Sequence, residues 1–181
     1  MFQDVLIEIL VAILLILGFA SPFPVAVPAP TLPSEQSSIS SSELHDVVKV
    51  VDGDTIHIDI NGKKETVRLI GINTPETVDP RRPVECFGKE ASNKAKELLE
   101  GKKIRIETEQ SQGERDKYGR LLGYVFREDG LFFNEYMISE GYAYEYTYNV
   151  PYKYQSEFRV VQKEAEANEH GLWAPGVCEK K

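Results

Sequence analysis

Alternating apolar and polar residues predict that the first part of the globular chain consists of short β-strands. Residues 55–60 read Thr-Ile-His-Ile-Asp-Ile, which places all three isoleucines on one face. The pair Asn61-Gly62 follows, and it favours a tight hairpin because both residues tolerate positive φ angles. Residues 47–51 are mostly β-branched and apolar and form a strand before this one, and residues 66–72 form the partner strand after the hairpin. Three antiparallel strands are therefore expected.

Helical spacing of apolar residues alternates with further strands in the rest of the chain. In one segment Ala91, Ala95 and Leu99 recur at helical spacing, and Gly101 should end the helix. Asn134 is expected to cap a second helix. The remaining predicted elements are strands at 103–107 and 121–126 and helices at 88–100, 134–140 and 152–169. Short strands, interspersed helices and no β-α-β rhythm predict a closed β-barrel with packed helices, an α+β fold.

The first 44 residues differ in composition from the rest. Residues 9–20 form an apolar run shorter than the roughly 20 residues of a membrane span, as in signal peptides. Asp4 and Glu8 replace the usual basic start, so residues 1–20 are either a signal peptide or an uncleaved anchor. Residues 21–44, rich in proline and serine, predict a disordered tether. We expect a protein secreted or anchored on the outer face of the cell membrane, which it touches only through the N-terminal segment.

Net charge and cysteine content limit the classes of function. The formal net charge of −8 argues against a protein that coats nucleic acid by its overall charge. A nucleic-acid function must come from a local site in the predicted domain, residues 45–178. Cys86 and Cys178 form one disulfide in an oxidising compartment or remain two thiols. Their number and spacing do not support a zinc site.

Polar residues interrupt the apolar strands and offer a set of oxygen ligands. Asp54 and Glu76 supply carboxylates, and Asn73 and Thr74 can add carbonyl oxygens. Such a set suits Ca²⁺, which takes about six to eight oxygens in loose geometry. Thr74 precedes Pro75, whose ring keeps the preceding residue extended and can thereby fix the direction of its carbonyl.

Two arginines complete the parts that phosphodiester hydrolysis needs. Arg68 and Arg120 carry planar guanidinium groups suited to two hydrogen bonds with one phosphate. Hydrolysis also needs a base for water and a cation for the developing charge. Each motif alone has a plainer interpretation: a turn around Asp54, helix capping for Glu76, or core packing for the tyrosines. Their joint occurrence in this order favours a catalytic site over these separate structural roles.

The order of the motifs resembles that of the staphylococcal nuclease (thermonuclease) family. The motifs are Val-Asp-Gly-Asp-Thr, Arg-Leu-Ile-Gly-Ile-Asn-Thr-Pro-Glu, Asp-Lys-Tyr-Gly-Arg-Leu-Leu and a closing Gly-Leu-Trp. The resemblance covers residues 46–173. It implies a five-stranded OB-fold barrel with about three helices and an endonuclease of low sequence specificity. Its expected substrates are single- or double-stranded DNA and RNA, its cofactor one Ca²⁺ ion that other divalent ions can replace, and its state a monomer.

The resemblance also implies catalytic roles for three residues. Glu76 would orient or deprotonate the attacking water. Arg68 would bind the scissile phosphate through the transition state. Arg120 would do likewise and favour departure of the leaving oxygen.

The same motif positions imply a calcium site. The ligands would be Asp54, Asn73 and Thr74, with Asp52 behind them. The family has an aspartate where this chain has Asn73. One negative charge is missing, so weaker calcium binding and broader metal use are expected.

Four residues are expected to contact the substrate, namely Lys117, Tyr118, Tyr144 and Tyr146. Stacking on tyrosines tolerates any base, as a general nuclease requires. The alternative is a catalytically weak nucleic-acid-binding module on the same fold. A binding module has no need to keep two arginines and a glutamate at these positions, so the enzyme is favoured.

Overall fold

The structure is a computed structural model that describes residues 43–178. The strands are β1 (Leu44–Asp52), β2 (Thr55–Ile60), β3 (Lys63–Leu69), β4 (Ile72–Asn73), β5 (Lys103–Glu107), β6 (Leu121–Arg127) and β7 (Tyr144–Glu145), and the helices are α1 (Gly88–Leu99), α2 (Phe133–Ser139) and α3 (Gln155–Ala167). The signal peptide or anchor at 1–20, and all of the tether at 21–44 except its last two residues, lie outside the described residues.

Five strands close a barrel in the order β1-β2-β3-β6-β5, which confirms the predicted fold. β1, β2 and β3 pair antiparallel as expected, and the barrel closes through a parallel pair of β3 and β6. Ile56 and Ile58 of β2 are fully buried, as the alternation predicts. Burial of such side chains contributes roughly 1.5–3 kcal/mol each. The barrel interior is therefore the main source of stability.

The predicted strand at 66–72 is in fact two strands separated by a turn. Gly71 has a φ of 79°, which ends β3 before β4 begins. A Cβ on Gly71 would lie 2.7 Å from the ring of Tyr152, so the close packing there also requires glycine. The turn brings Asn73 back towards Arg68, and this positions the site described below.

Two of the predicted helices differ from the observed ones for tertiary reasons. α3 begins only at Gln155, because the buried Tyr152 packs against the β3–β4 turn before the helix starts. The prediction that Asn134 caps a helix is wrong. It lies inside α2, where its side-chain oxygen accepts the Val125 N–H at 2.9 Å and its amide donates to the Ile70 carbonyl at 2.9 Å. These two buried hydrogen bonds tie α2 to the barrel.

The helix α1 follows its prediction closely. Ala91, Ala95 and Leu99 are buried, and Gly101 follows the helix with a φ of 70°. Just before α1, Cys86 forms a disulfide with Cys178 across a sequence separation of 92. The C-terminal segment is thus fixed to the segment between β4 and α1.

Within residues 43–178, every helix is too short or too polar to cross a lipid bilayer.

Candidate active site

A cavity of about 260 Å³ collects most of the residues predicted to carry chemistry. Its lining includes Asp52, Asp54, Arg68, Asn73, Thr74, Glu76, Arg82 and Arg120. They come from the β1–β2 turn, from β3 and β4, from the segment after β4, and from the residue before β6. The barrel therefore brings together residues that are far apart in sequence.

Asp54 lies at the buried end of this cavity. Its Oδ1 accepts the Thr55 hydroxyl at 3.0 Å, and its Oδ2 accepts the Thr74 N–H at 3.0 Å and the Thr74 hydroxyl at 3.2 Å. The approach of Thr74 depends on Gly53, because a Cβ there would lie 2.5 Å from the Thr74 methyl group. The Asp-Gly-Asp motif thus joins the β1–β2 turn to the segment that follows β4.

Arg68 is held rigidly beside Asp54. In the register of β2 and β3 it lies opposite Thr55, and its Nη2 is 3.2 Å from Asp54 Oδ2. Nη1 donates to the carbonyls of Leu69 at 2.8 Å and Ile72 at 2.9 Å, and Nη2 donates to Asn73 Oδ1 at 3.1 Å. The side chain is only 14% exposed. The β3–β4 turn therefore fixes the direction of this guanidinium.

Arg120 is oriented by an aspartate to which the sequence analysis gives no role. Its Nε and Nη2 both lie 2.7 Å from Asp116 Oδ2, while its backbone N–H donates to Asp116 Oδ1 at 3.0 Å. Burial opposes the ionised form of Asp116, but hydrogen bonds from Arg120 and Tyr118 lower its pKa overall. Asp116 stays charged and holds Arg120 in place. The sequence signal for this pair is the spacing of four residues between the acidic Asp116 and the basic Arg120.

Glu76 has one carboxylate oxygen engaged and one less constrained. Oε1 accepts the N–H groups of Val78 at 2.7 Å and Asp79 at 3.1 Å within a loop, and the next helix begins only at Gly88, so Glu76 does not cap a helix. Oε2 lies 3.9 Å from Nη2 of Arg82. The backbone of Glu76 is fixed by Glu85, which accepts its N–H at 3.0 Å and donates to its carbonyl at 2.9 Å.

Negative charge accumulates on one side of the cavity. Asp52 is buried, and its Oδ1 accepts the Gly53 N–H at 2.8 Å and the Thr77 hydroxyl at 2.9 Å. Burial raises the pKa of Asp52, and the neighbouring charges of Asp54 and Glu76 raise it further. A bound cation would relieve this repulsion, so the donor set fits a hard metal ion.

The cation ligands would be of mixed type. In the described part of the chain, no three His, Cys, Asp or Glu side chains converge as a metal site. A cation beside Asp54 would therefore also need neutral oxygens, such as the Asn73 amide and the Thr74 carbonyl.

A second cavity of about 650 Å³ adjoins the first, sharing Arg68, Asn73 and Arg120 with it. Lys117, Tyr118 and Tyr146 line it, as expected for substrate contacts. Tyr144 does not line either cavity, and its ring packs edge-on against Trp173 at 5.3 Å, so its expected substrate contact stays a prediction. Tyr148 lines the second cavity instead. β7 ends at Glu145. The strand pattern that would place Tyr144 and Tyr146 on the same face therefore stops before Tyr146.

Comparison with known proteins identifies a family and several relatives of this chain. The family model described as "Staphylococcal nuclease homologue" matches residues 66–175. A thermonuclease of Staphylococcus hyicus is 40% identical over 137 residues, covering 76% of this chain and 79% of that protein. A thermonuclease of Staphylococcus intermedius is 43% identical, covering 70% and 74% of the two chains. Endonuclease YncB of Bacillus subtilis is 40% identical, covering 70% and 59%.

Proposed function

Because the chain belongs to the staphylococcal nuclease family, we propose that Arg68, Glu76 and Arg120 carry its phosphodiester hydrolysis, with Ca²⁺ bound beside Asp54. Membership of this family makes the protein a nuclease, a hydrolase that acts on nucleic acid. The observation that supports the residue assignment is that all three side chains line one cavity together with Asp54.

The protein's own groups divide the chemistry between them. Glu76 orients the attacking water or accepts its proton through Oε2, since Oε1 is engaged by its own loop. Arg68 and Arg120 donate hydrogen bonds to the phosphate as its negative charge grows. Asp116 and the β3–β4 turn fix these two guanidinium groups before the substrate arrives, so little reorganisation is needed.

Asp54, the Asn73 amide and the Thr74 carbonyl would hold the calcium ion. When bound, Ca²⁺ supplies positive charge that polarises a phosphoryl oxygen. Asn73 contributes an oxygen without a full charge, so we propose weaker calcium binding than an aspartate would give and tolerance of other divalent ions.

The proposed substrates are both DNA and RNA, cut with low sequence specificity. The second cavity presents the rings of Tyr118, Tyr146 and Tyr148, and aromatic faces stack on any base. Lys117 adds a charge suited to phosphate. The alternative, a catalytically weak binding module, makes the same contacts but predicts little or no turnover.

We also propose that the protein acts outside the cell, secreted or held on the outer face of the membrane. The apolar segment before residue 21 supports export. The Cys86–Cys178 disulfide supports it independently, because such bonds persist mainly in oxidising compartments.

The decisive test is digestion of single-stranded DNA with Ca²⁺ and then with a chelator. We expect cleavage that stops in chelator, and an Asp54→Asn variant that needs much more Ca²⁺ than the wild type. Asp46→Asn, an exposed change in β1, is the control. An Asp54→Asn variant with a wild-type calcium titration would refute the metal assignment. DNA binding without cleavage at any calcium level would favour the binding module.

A substitution at Asn73 tests the ligand that departs from the family pattern. Asn73→Asp restores the missing charge and should tighten Ca²⁺ binding, measured by isothermal titration calorimetry. If the affinity does not rise, Asn73 is not a ligand.

A further inference from the structure

Arg82 is an arginine of the active-site cavity to which neither the sequence motifs nor the comparisons give a role. It lies in the segment between β4 and α1 and lines the cavity together with Arg68, Glu76 and Arg120. Its side chain is 59% exposed, against 14% for Arg68. Arg82 is therefore at the mouth of the cavity, where a polymer would enter or leave.

The guanidinium of Arg82 is held loosely by three carboxylates. Nε lies 3.5 Å from Asp79, Nη1 lies 3.8 Å from Glu85, and Nη2 lies 3.9 Å from Glu76. These distances exceed those of good charge-assisted hydrogen bonds, which are about 2.7–2.9 Å. The group is thus positioned by charge, while its N–H donors remain available for a stronger acceptor.

The other arginines near the cavity are held by shorter contacts than Arg82. Arg68 donates to two carbonyls and to Asn73, and Arg120 pairs with Asp116. Arg81, the neighbour of Arg82, forms two hydrogen bonds of 2.9 Å with one carboxylate and is 85% exposed. Arg81 therefore provides a matched control of the same charge and the same loop.

The arrangement of the two cavities indicates which acceptor Arg82 would meet. A scissile phosphate at the shared wall of Arg68 and Arg120 would place one neighbouring nucleotide in the tyrosine-lined cavity. The strand would then continue in the other direction through the first cavity, past Arg82. Because the protein's net charge is −8, any phosphate on this path needs a local cation.

We propose that Arg82 binds the phosphate next to the scissile one, on the side away from the tyrosine-lined cavity. This inference rests on the proposed active site. A second phosphate engages the free donors of Arg82 through two hydrogen bonds, which an arginine favours.

The first experiment measures binding without catalysis. Wild type, Arg82→Gln and Arg81→Gln bind a fluorescent oligothymidine in chelator across a sodium chloride series, followed by anisotropy. Each phosphate contact on a single strand contributes about 0.7 to the slope of log affinity against log salt. We expect Arg82→Gln to lose about 0.7 of this slope and Arg81→Gln to keep it. Equal slopes for the two variants would overturn the proposal. Because this experiment measures binding alone, its result does not depend on the catalytic assignment.

The second experiment measures cleavage with Ca²⁺. One substrate is a dithymidine with a single phosphodiester. A second substrate extends it by one phosphodiester at one end, and a third extends it by one at the other end. We expect one extension to raise kcat/KM for wild type and Arg81→Gln but not for Arg82→Gln. If Arg82→Gln instead slows all three substrates by the same factor, Arg82 acts on Glu76 and not on a neighbouring phosphate.

Discussion

The disulfide should contribute a large part of the stability of the domain. Cys86 and Cys178 are 92 residues apart, so the bond closes most of the domain into one loop. The loss of chain entropy in the unfolded state gives about 4.6 kcal/mol for a loop of this length. Measured losses for native disulfides of small secreted domains are about 2–5 kcal/mol. We expect the Cys86→Ser, Cys178→Ser double variant to fall within that interval.

The assay is urea unfolding of the double variant and of the wild type, each with and without dithiothreitol. Reductant should bring the wild type to the stability of the variant and leave the variant unchanged. A difference below about 1 kcal/mol would contradict the reasoning, because it would mean that the C-terminal segment is already restrained in the unfolded chain.

Two further predictions concern a buried amide and a half-buried carboxylate. Asn134→Ala removes both hydrogen bonds that join α2 to the barrel and leaves two buried backbone groups unpaired, so urea unfolding should show a loss of about 2–5 kcal/mol; a loss under 1 kcal/mol would mean that water replaces the amide. Burial, and then the charge of Glu157, raise the pKa of Glu135, so the folded state holds this proton to higher pH than the unfolded state does and stability falls as pH rises through that window. Glu135→Gln should therefore stabilise the domain at neutral pH, with a gain that disappears in acid; a gain independent of pH would contradict this.

Local patterns were sufficient to predict the barrel strands. The alternation in β2 and the Asn61-Gly62 hairpin specify which face is buried and where the chain turns, and both depend only on neighbouring residues. The ordered motifs likewise predicted that Arg68, Glu76 and Arg120 would line one cavity.

Tertiary contacts explain what the sequence did not show. Asn134 is a residue type that often caps helices, but its partners are Val125 in the preceding strand and Ile70, which is 64 residues away in sequence. The position of Tyr148 in the second cavity was not predicted, because β7 is only two residues long and the chain after it follows no strand pattern. Asp116 is spaced correctly to pair with Arg120, but only the fold shows that this pair lies beside Arg68 and Glu76.

We propose that Arg68 is a catalytic residue whose planar guanidinium binds the phosphate in the transition state. The direct measurement is the single-turnover rate of single-stranded DNA cleavage by Arg68→Lys at saturating Ca²⁺, with calcium affinity measured in parallel. A lysine keeps the charge but cannot form the paired hydrogen bonds, so we predict a rate at least about 100-fold lower with similar calcium affinity. A variant that cuts at the wild-type rate would contradict the assignment.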